Sequence, residues 1–345
     1  MTVLSQQYDA LLLDLDGTIV RGSDLVPGAA EVVQELRRSA TAVQFITNNA
    51  SRAPEQVAEH LTALGVRIAV DEVLTSGQAA VAVLEPQLPA GAAVLVVGTD
   101  ALAGAVRTVG LRPVTSATEH PAAVLQGHSP DTDWARLAEA CLAIRTGAIW
   151  VACNVDRTLP TERGLLPGNG ALVAALRAAT DREPEVAGKP ERPLLDTAVK
   201  RTGAQRPLVI GDRLDTDIAG ACAAGLDSLL VLSGVADAAA LLAAPPEQRP
   251  VHLGADVRAL RGPAERTRIR PRPGWLVETD GLTAVLHTGA APEESVGEPG
   301  EDPLDALRTL CAIWWAERAG PVRVRAGDER AAAALQMLGL DQAGS

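Results

Sequence analysis

Aromatic side chains are scarce in this 345-residue chain, at 2% of its residues. Proteins that bind single-stranded nucleic acids stack the bases on such side chains. Basic residues are also in the minority, because 31 Lys and Arg stand against 43 Asp and Glu, for a net charge of −12. A field of that sign repels phosphate backbones and anionic membrane surfaces. The composition therefore argues against nucleic acids and membranes as partners.

Long apolar runs and paired cysteines are absent too. No run approaches the ~20 apolar residues that a membrane span needs, and the first residues show no basic-then-apolar export signal. The four cysteines are far apart and form no CxxC pair, so we expect reduced thiols and a cytoplasmic location. At ~100–200 residues per domain, the length favours two or three domains.

Short apolar runs alternate with Ala- and Leu-rich stretches, which is typical of βαβ units with a parallel sheet. Because several runs are apolar at consecutive positions, we expect a doubly wound, Rossmann-like α/β fold with helices on both faces of the sheet. The predicted strands are Ala10–Leu15, Ala42–Thr47, Ala93–Val97, Ile149–Cys153, Pro207–Ile210 and Ser228–Leu232. The predicted helices are Ala29–Arg38, Pro54–Leu64, Gly77–Leu84, Asp133–Arg145, Gly170–Ala179, Pro193–Thr202 and Thr216–Ala224.

Two carboxylates follow the first apolar strand, in the order Asp14-Leu15-Asp16-Gly17-Thr18. Residues two apart in a strand point to the same side, and Gly17 allows a sharp turn after them. Negative groups at the end of a buried strand are unfavourable unless a cation or hydrogen-bond donors compensate them. A hard cation with oxygen ligands, such as Mg²⁺, is the natural compensation, although a simple surface Asp-Gly turn remains the alternative for this motif alone.

Three further segments place chemistry-bearing residues after later strands or turns. Thr47-Asn48-Asn49 ends the second strand, Gly188-Lys189-Pro190 precedes a helix, and the segment Gly211-Asp212 to Asp217 ends another strand. Open α/β sheets bind ligands at the carboxyl ends of their strands. Each segment alone could be a capping loop or a surface turn, but their common placement indicates one site.

The four motifs DLDGT, TNN, GKP and GDRLDTDI resemble those of the haloacid-dehalogenase superfamily of phosphohydrolases. The chain is similar to the class with a large α/β cap, which includes glycerol-phosphate and phosphoglycolate phosphatases. The resemblance covers residues 8–262 and includes the cap sequences NVD, LPTE and PGNG, from Asn154 to Gly170, although Gln126-Gly127-His128-Ser129 departs from the expected Gly-x-Asp. It implies a core of residues 1–77 and 186–262 and a cap of residues 78–185.

The resemblance also implies roles for the carboxylates. Asp14 would be the nucleophile that forms an aspartyl-phosphate, and Asp16 would be the general acid and base. Asp14, the Asp16 carbonyl and Asp212 would hold Mg²⁺, while Asp217 would support the site by orienting Lys189 or capping a helix.

The same resemblance implies how the phosphate and the substrate would be held. Thr47 and Lys189, with backbone N–H groups near Asn48, would bind the phosphoryl oxygens. Asn154, Asp156 and Arg157 of the cap are candidate substrate contacts, with a tight turn that shapes the cap as the alternative. The expected substrate is a small phosphorylated metabolite, glycerol 3-phosphate first and phosphoglycolate or another small sugar or polyol phosphate second.

Residues 263–345 lie outside this resemblance and predict a small α+β module with the order ββαβα. Trp275–Glu278 and Leu282–His287 flank an Asp280-Gly281 turn that favours a hairpin. An acidic loop over Thr288–Pro303, a helix capped by Asp302 and, after it, a strand and a helix complete the module. The order loosely resembles part of an acyl-coenzyme A-dependent N-acetyltransferase, but acids would occupy its pyrophosphate loop, so we predict an inactive module that serves packing, oligomerisation or regulation.

Two classes of protein could use these core motifs. The first is a Mg²⁺-dependent phosphomonoester hydrolase. Such a hydrolase could form a homo-oligomer through its cap or its C-terminal module. The second is a phospho-accepting signalling domain without turnover, which also combines strand-end acids, Mg²⁺, a Thr and a Lys. The second class gives no reason for an acid at Asp16 or for so large a cap, so we expect the hydrolase.

Overall fold

The computed structural model describes residues 2–39, 41–161, 163–289 and 303–341, with the side chain of Pro303 excluded. Its strands are β1 (Ala10–Asp14), β2 (Val20–Arg21), β3 (Asp24–Leu25), β4 (Ala42–Thr47), β5 (Val73–Thr75), β6 (Ala93–Val97), β7 (Arg112–Val114), β8 (Ala123–Gln126), β9 (Ile149–Ala152), β10 (Thr158–Thr161), β11 (Gly164–Pro167), β12 (Glu185–Val186), β13 (Pro207–Gly211), β14 (Asp227–Val231), β15 (His252–Gly254), β16 (Trp275–Asp280), β17 (Thr283–Thr288) and β18 (Arg323–Ala326).

Its α-helices are α1 (Ala29–Leu36), α2 (Pro54–Ala63), α3 (Ser76–Leu84), α4 (Asp100–Thr108), α5 (Trp134–Arg145), α6 (Asn169–Thr180), α7 (Arg192–Thr202), α8 (Ala219–Ala224), α9 (Ala238–Leu242), α10 (Ala264–Thr267), α11 (Pro303–Glu317) and α12 (Glu329–Met337). Among the described residues, no helix combines the length and the apolar character needed to cross a membrane.

A six-stranded parallel sheet forms the centre of the molecule, in the order β15-β14-β13-β1-β4-β5. Every residue of β1 and β13 is buried, as expected for strands covered by helices on both faces. Because all six strands are parallel, their carboxyl ends share one edge of the sheet. The predicted doubly wound α/β core is therefore confirmed.

A second parallel sheet, in the order β12-β9-β8-β6-β7, lies in the segment predicted as the cap. Buried residues of both sheets share one apolar cluster with the helices α3 and α7; for example, Ile46 and Leu74 lie in the same cluster as Val96 and Leu125. The two sheets therefore pack on each other through these helices. The hairpin β10–β11 projects from the cap with all its described residues exposed.

The third sheet, β16-β17-β18, belongs to the C-terminal module and pairs β16 with β17 antiparallel and β17 with β18 parallel. The predicted ββαβα order is present. The predicted acidic loop after Thr288, its N-cap Asp302 and the cap residue Glu162 lie outside the described residues.

Two sequence-based details differ from the structure. The helix predicted from Thr216 begins as a π-helical turn, Leu214–Ile218, and α8 starts at Ala219, because the wider turn brings the Asp217 side chain back to the Arg213 N–H at 3.1 Å. The segment from Arg261 to Trp275 has the composition of a solvated linker but is packed. Its Arg272 guanidinium donates to the carbonyls of Glu265, Arg266 and Arg268, at 2.8 Å each.

A buried polar chain joins the amino-terminal edge of the central sheet to α10. His252 is 1% exposed, and its ring nitrogens lie 3.1 Å from the Tyr8 hydroxyl and 2.8 Å from the Thr267 hydroxyl. Burial, with a smaller contribution from the positive charge of Arg268, lowers the pKa of His252 from 6.5 to about 4. The folded protein therefore holds this imidazole neutral at pH values where the unfolded chain would protonate it.

We expect His252 to make the protein less stable in mild acid. Between pH 6.5 and 4 the unfolded state binds one more proton than the folded state, so stability falls as the pH falls, by about 3 kcal/mol over this range. Urea unfolding of the wild type and of His252→Gln, at pH 7 and pH 4, measures this loss. The glutamine keeps a donor and an acceptor but does not titrate, so an equal loss in both proteins would contradict the assignment.

Candidate active site

Three strands of the central sheet deliver polar side chains to one edge. Asp14 is the last residue of β1, Thr47 is the last residue of β4, and Asp212 follows β13 directly. β1 lies between β4 and β13, so the three residues are neighbours because of the strand order, although almost 200 residues separate the first from the last. All three are buried.

Lys189 connects the carboxylates at this edge. It lies in the turn before α7, and its Nζ is 2.5 Å from Asp14 Oδ1 and 2.6 Å from Asp217 Oδ1. Burial alone would lower the pKa of Lys189, but the two contacting carboxylates raise it above its ordinary value. The lysine is therefore a fixed ammonium group inside the protein.

Negative charge exceeds positive charge at this site. Ligand atoms of Asp14, Asp212 and Asp217 lie within 4.8 Å of one another. Burial and the neighbouring carboxylates raise the pKa of Asp14, while burial and the charge of Asp217 raise the pKa of Asp212 to about 6. One ammonium group does not balance these acids, so the arrangement favours a bound cation.

The residues present fit Mg²⁺. Asp212 Oδ2 accepts the backbone N–H of Val235 at 2.7 Å, whereas Asp212 Oδ1 is buried and has no hydrogen-bond partner within the described parts of the chain. An unpartnered buried carboxylate oxygen beside another carboxylate is the donor set of a hard divalent cation. A Cβ atom at Gly17 or Gly234 would overlap the Asp212 carboxylate, so both glycines are required by close approach.

Asp16 differs from the other acids because it is exposed. Partial desolvation by the surrounding protein raises the pKa of Asp16, against the positive charges of Lys189, Arg52 and His60, which lower it. An exposed carboxyl with a raised pKa has the properties of a general acid. Arg52 and His60 were not singled out from the sequence, since neither belongs to a recognisable spacing with Asp16.

Asn48 joins the lysine turn to the second sheet. Its side-chain Oδ1 accepts the Lys189 N–H at 2.8 Å, and its Nδ2 donates to the Lys189 carbonyl at 2.9 Å. The same Nδ2 lies 3.3 Å from Asp156 Oδ1, and the Asn48 carbonyl accepts Asn154 Nδ2 at 2.7 Å. The amide of Asn48 is therefore engaged by protein groups, which leaves only its backbone for the predicted contact with phosphate.

The three predicted substrate contacts of the cap lie in different surroundings. Asn154 is buried, and its Oδ1 accepts the Asp156 N–H at 3.2 Å while its Nδ2 bonds Asn48. Burial raises the pKa of Asp156, and the hydrogen bond from Asn48 opposes this effect. The Arg157 side chain is exposed. Asn154 and Asp156 therefore contact Asn48 at the catalytic edge, and we call the contacts of Asn48 with Lys189, Asn154 and Asp156 the joint. Arg157 is not part of this joint.

Three contacts that use main-chain groups around the site leave no sequence signal. The Ser51 hydroxyl donates to the carbonyl of His128 at 2.7 Å, so the segment that departs from Gly-x-Asp meets the core through its main chain. Likewise, the loop after β14 contributes the Val235 N–H to Asp212, and the Ser233 hydroxyl donates to the Gly17 carbonyl at 2.7 Å.

A doubly wound core with a strand-end aspartate, a buried lysine and a magnesium-compatible acid cluster, facing a second α/β sheet, defines a capped hydrolase of phosphate esters. The family model described as "Haloacid dehalogenase-like hydrolase" matches residues 11–112, and one described as HAD-hydrolase-like matches residues 186–260. A third, for GCN5-related N-acetyltransferase-like domains, matches residues 272–340.

Known proteins resemble the whole chain or its first two thirds. A D-glycerol 3-phosphate phosphatase of Mycobacterium tuberculosis is 48% identical over 341 residues, 97% of this chain and 95% of that protein. A 5'-nucleotidase of Bacillus subtilis is 36% identical over 66% of this chain and 88% of its own length. A glycerol phosphate phosphatase from M. tuberculosis, solved in complex with magnesium, superposes with a TM-score of 0.92 at 47% identity, covering 99% of both chains.

The chain belongs to the haloacid-dehalogenase-like hydrolases. The predicted family, the enzyme class of phosphatase and the cofactor Mg²⁺ are confirmed. The roles of individual residues remain predictions that rest on the geometry described above.

We expect Asn48→Asp to disrupt the joint between the lysine turn and the cap. The new carboxylate would repel Asp156 and lose the donor to the Lys189 carbonyl, so the kcat/KM for a phosphomonoester should fall about 100-fold. Asn49→Asp is the matched control, because the Asn49 side chain uses only its oxygen, which accepts the Ser51 N–H at 2.8 Å.

The charge repulsion can be tested by a second substitution. Adding Asp156→Asn to Asn48→Asp restores a donor and an acceptor across the joint and should recover part of the lost kcat/KM. Steady-state kinetics of the wild type, the single variants Asn48→Asp and Asp156→Asn, and the double variant measures the coupling. A loss in Asn49→Asp as large as in Asn48→Asp would show that the effect comes from charge near the site and not from the joint.

Proposed function

We propose that this protein hydrolyses a small phosphomonoester with Mg²⁺, and that its substrate is glycerol 3-phosphate, which gives glycerol and phosphate. The observation that supports the reaction most directly is the contact of Lys189 with Asp14 and Asp217, beside an oxygen of Asp212 for which the described parts of the chain supply no hydrogen-bond partner. The choice of substrate is supported by the M. tuberculosis phosphatase, which matches 97% of the chain.

In the proposed first step, a carboxylate oxygen of Asp14 attacks the phosphorus in line with the ester bond. A P–O bond forms to Asp14, the P–O bond to glycerol breaks, and Asp16 gives its proton to the departing alkoxide oxygen. In the second step, a water molecule attacks the aspartyl-phosphate, Asp16 takes the proton of that water, and the bond to Asp14 breaks. Phosphate leaves, and both aspartates return to their starting states.

The remaining residues stabilise charge and fix geometry. Lys189 faces Asp14 and would bind the phosphoryl oxygens as they gain charge, together with the Thr47 hydroxyl, whose oxygen accepts the Asn49 N–H at 3.0 Å. Mg²⁺ held by Asp14, the Asp16 carbonyl and Asp212 would supply the positive charge between nucleophile and phosphate. Asp217 would hold Lys189 in place.

A small substrate follows from the cap. The proposed cap of residues 78–185 meets the catalytic edge where Asn154 and Asp156 contact Asn48, and a lid at that edge excludes water and large phosphorylated partners. Trp150 is buried in the cap and Trp134 is 82% exposed, so we do not assign either to a nucleobase. Phosphoglycolate and other small polyol or sugar phosphates remain alternative substrates. We further propose a cytoplasmic location, and a homo-oligomer through the cap or the C-terminal module remains a prediction.

We expect phosphate release from glycerol 3-phosphate to require both Mg²⁺ and Asp14. Asp14→Asn should lower kcat at least about 10⁴-fold, since the nucleophile is lost, and EDTA should abolish turnover by the wild type. The measurement is phosphate release from a panel of three-carbon, two-carbon and sugar phosphates, with the exposed variant Asp196→Asn as control. A preference for phosphoglycolate would show that phosphoglycolate, and not glycerol 3-phosphate, is the substrate. A stable aspartyl-phosphate without turnover would favour the signalling class.

Asp16→Asn should affect poor leaving groups most. We expect a loss in kcat of about 10²–10⁴-fold on glycerol 3-phosphate, because an alkoxide needs a proton to leave. The loss on p-nitrophenyl phosphate should be smaller, because nitrophenolate leaves without one. Equal losses on the two substrates would count against Asp16 as the acid.

A further inference from the structure

The C-terminal module buries its main helix against the catalytic core. The residues Leu307, Leu310 and Trp314 of α11 are fully buried, and they lie in one apolar cluster with Leu241 and Leu242 of α9. The cluster extends to Leu230 and Leu253 of the central sheet and to Leu214 and Ile218, which flank the turn that carries Asp217. The module is therefore continuous with the packing behind the active site.

Directed hydrogen bonds fix α11 to the core in addition to this apolar contact. The indole N–H of Trp315 donates to the carbonyl of Leu242, the last residue of α9, at 3.1 Å. Arg249 donates to the carbonyls of Trp315 and Arg318, at 3.1 and 2.9 Å, and its guanidinium lies over the Trp315 ring. Arg308 donates to the Leu253 carbonyl of the edge strand β15 at 2.9 Å.

Helix α9 is the continuation of the loop that holds Asp212. Residues 232–237 run from β14 to α9. In this loop the backbone N–H groups of Val235 and Ala236 donate to Asp212, at 2.7 Å to Oδ2 and 3.0 Å to its carbonyl. Asp237 then caps α9, because its side chain accepts the Ala240 N–H at 2.7 Å. The position of the loop, and with it the direction of Asp212 Oδ1, depends on where α9 lies.

We propose that the C-terminal module is a positioning element for the metal-binding carboxylate: α11 fixes α9, and α9 fixes the loop that orients Asp212 for Mg²⁺. This inference rests on the proposed function, since it assigns Asp212 to the metal. Trp315 and Arg249 are the positioning residues. Trp315 joins α11 to the last residue of α9, and Arg249, which follows α9 in the chain, binds the carbonyls at the end of α11.

Contacts that do not touch the metal can still affect metal affinity, because the hydrogen bonds made to a metal-ligating side chain set the orientation of that side chain. Asp212 has little freedom, since Gly17 and Gly234 press against its carboxylate, and a shift of the loop would move Oδ1 directly. Thermodynamic reciprocity then requires that Mg²⁺ binding stabilise α9 and α11 in return.

The test is Mg²⁺ binding by Trp315→Phe, which keeps an aromatic ring but removes the N–H donor together with the five-membered ring of the indole. The rise in Tm across a Mg²⁺ titration gives an apparent Kd without an activity assay. We expect Trp315→Phe to raise this Kd about three- to fivefold, as the loss of one net hydrogen bond allows. Trp134→Phe, the same change at an exposed tryptophan of the cap, should bind Mg²⁺ as the wild type does.

A second variant and a second measurement make the result independent of one substitution. Arg249→Gln, on the core side of the contact, should raise the apparent Kd in the same direction. In hydrogen exchange of the wild type, Mg²⁺ should slow exchange in α9 and α11 but leave the cap helix α5 unchanged.

Two outcomes would overturn the inference. One is a lowered Tm in Trp315→Phe and Arg249→Gln with an unchanged Mg²⁺ Kd, which would make the module a purely stabilising element. The other is Mg²⁺ binding to the wild type without protection of α9 or α11. Failure of the wild type itself to bind Mg²⁺ or to release phosphate would contradict the proposed function, and these controls therefore separate the two hypotheses.

Discussion

The interaction on which the rest depends is the contact of one buried ammonium group with an excess of carboxylates. Lys189 meets Asp14 and Asp217 at hydrogen-bond distance, and Asp212 lies beside them with one oxygen that has no partner among the described residues. Separating these groups from water is unfavourable unless further positive charge is present. A site that favours a cation beside a strand-end aspartate fits an anionic phosphate ester and Mg²⁺, in agreement with the family to which the chain belongs.

This charge cluster needs precise support, and the support comes from three directions. The strand order of the central sheet places Asp14 and Asp212 side by side. Asn48 holds both backbone groups of Lys189 and also reaches Asp156, so the lysine and the cap are positioned by one amide. The loop before α9 holds Asp212 from behind, and the C-terminal module packs on that helix. The core and the cap therefore meet directly at Asn48, whereas the C-terminal module reaches the cluster only through α9 and the loop before it.

The C-terminal module matches an N-acetyltransferase-like family, yet its described contacts serve the hydrolase core. Its strands β17 and β18 pair over four residues, and the apolar side chains of its main helix α11 pack against the core in one cluster. A fold that supports one chemistry elsewhere can be reused as packing, because function lies in sites and not in folds.

The sequence by itself determined six of the eleven described strands of the two parallel sheets (β1, β4, β6, β9, β13 and β14), the order of the motifs and the identity of the acids. Asp14, Asp16, Lys189 and Asp212 were recognisable because their residue types and their places after apolar runs are local properties. Only the tertiary structure decided the contacts that pass through the backbone or across long separations. The Val235 N–H on Asp212, the turn at Lys189 held by Asn48, and the bond from Trp315 to α9 are examples. A main-chain donor has no side-chain signature, and contacts between distant segments follow from packing, which no local pattern records.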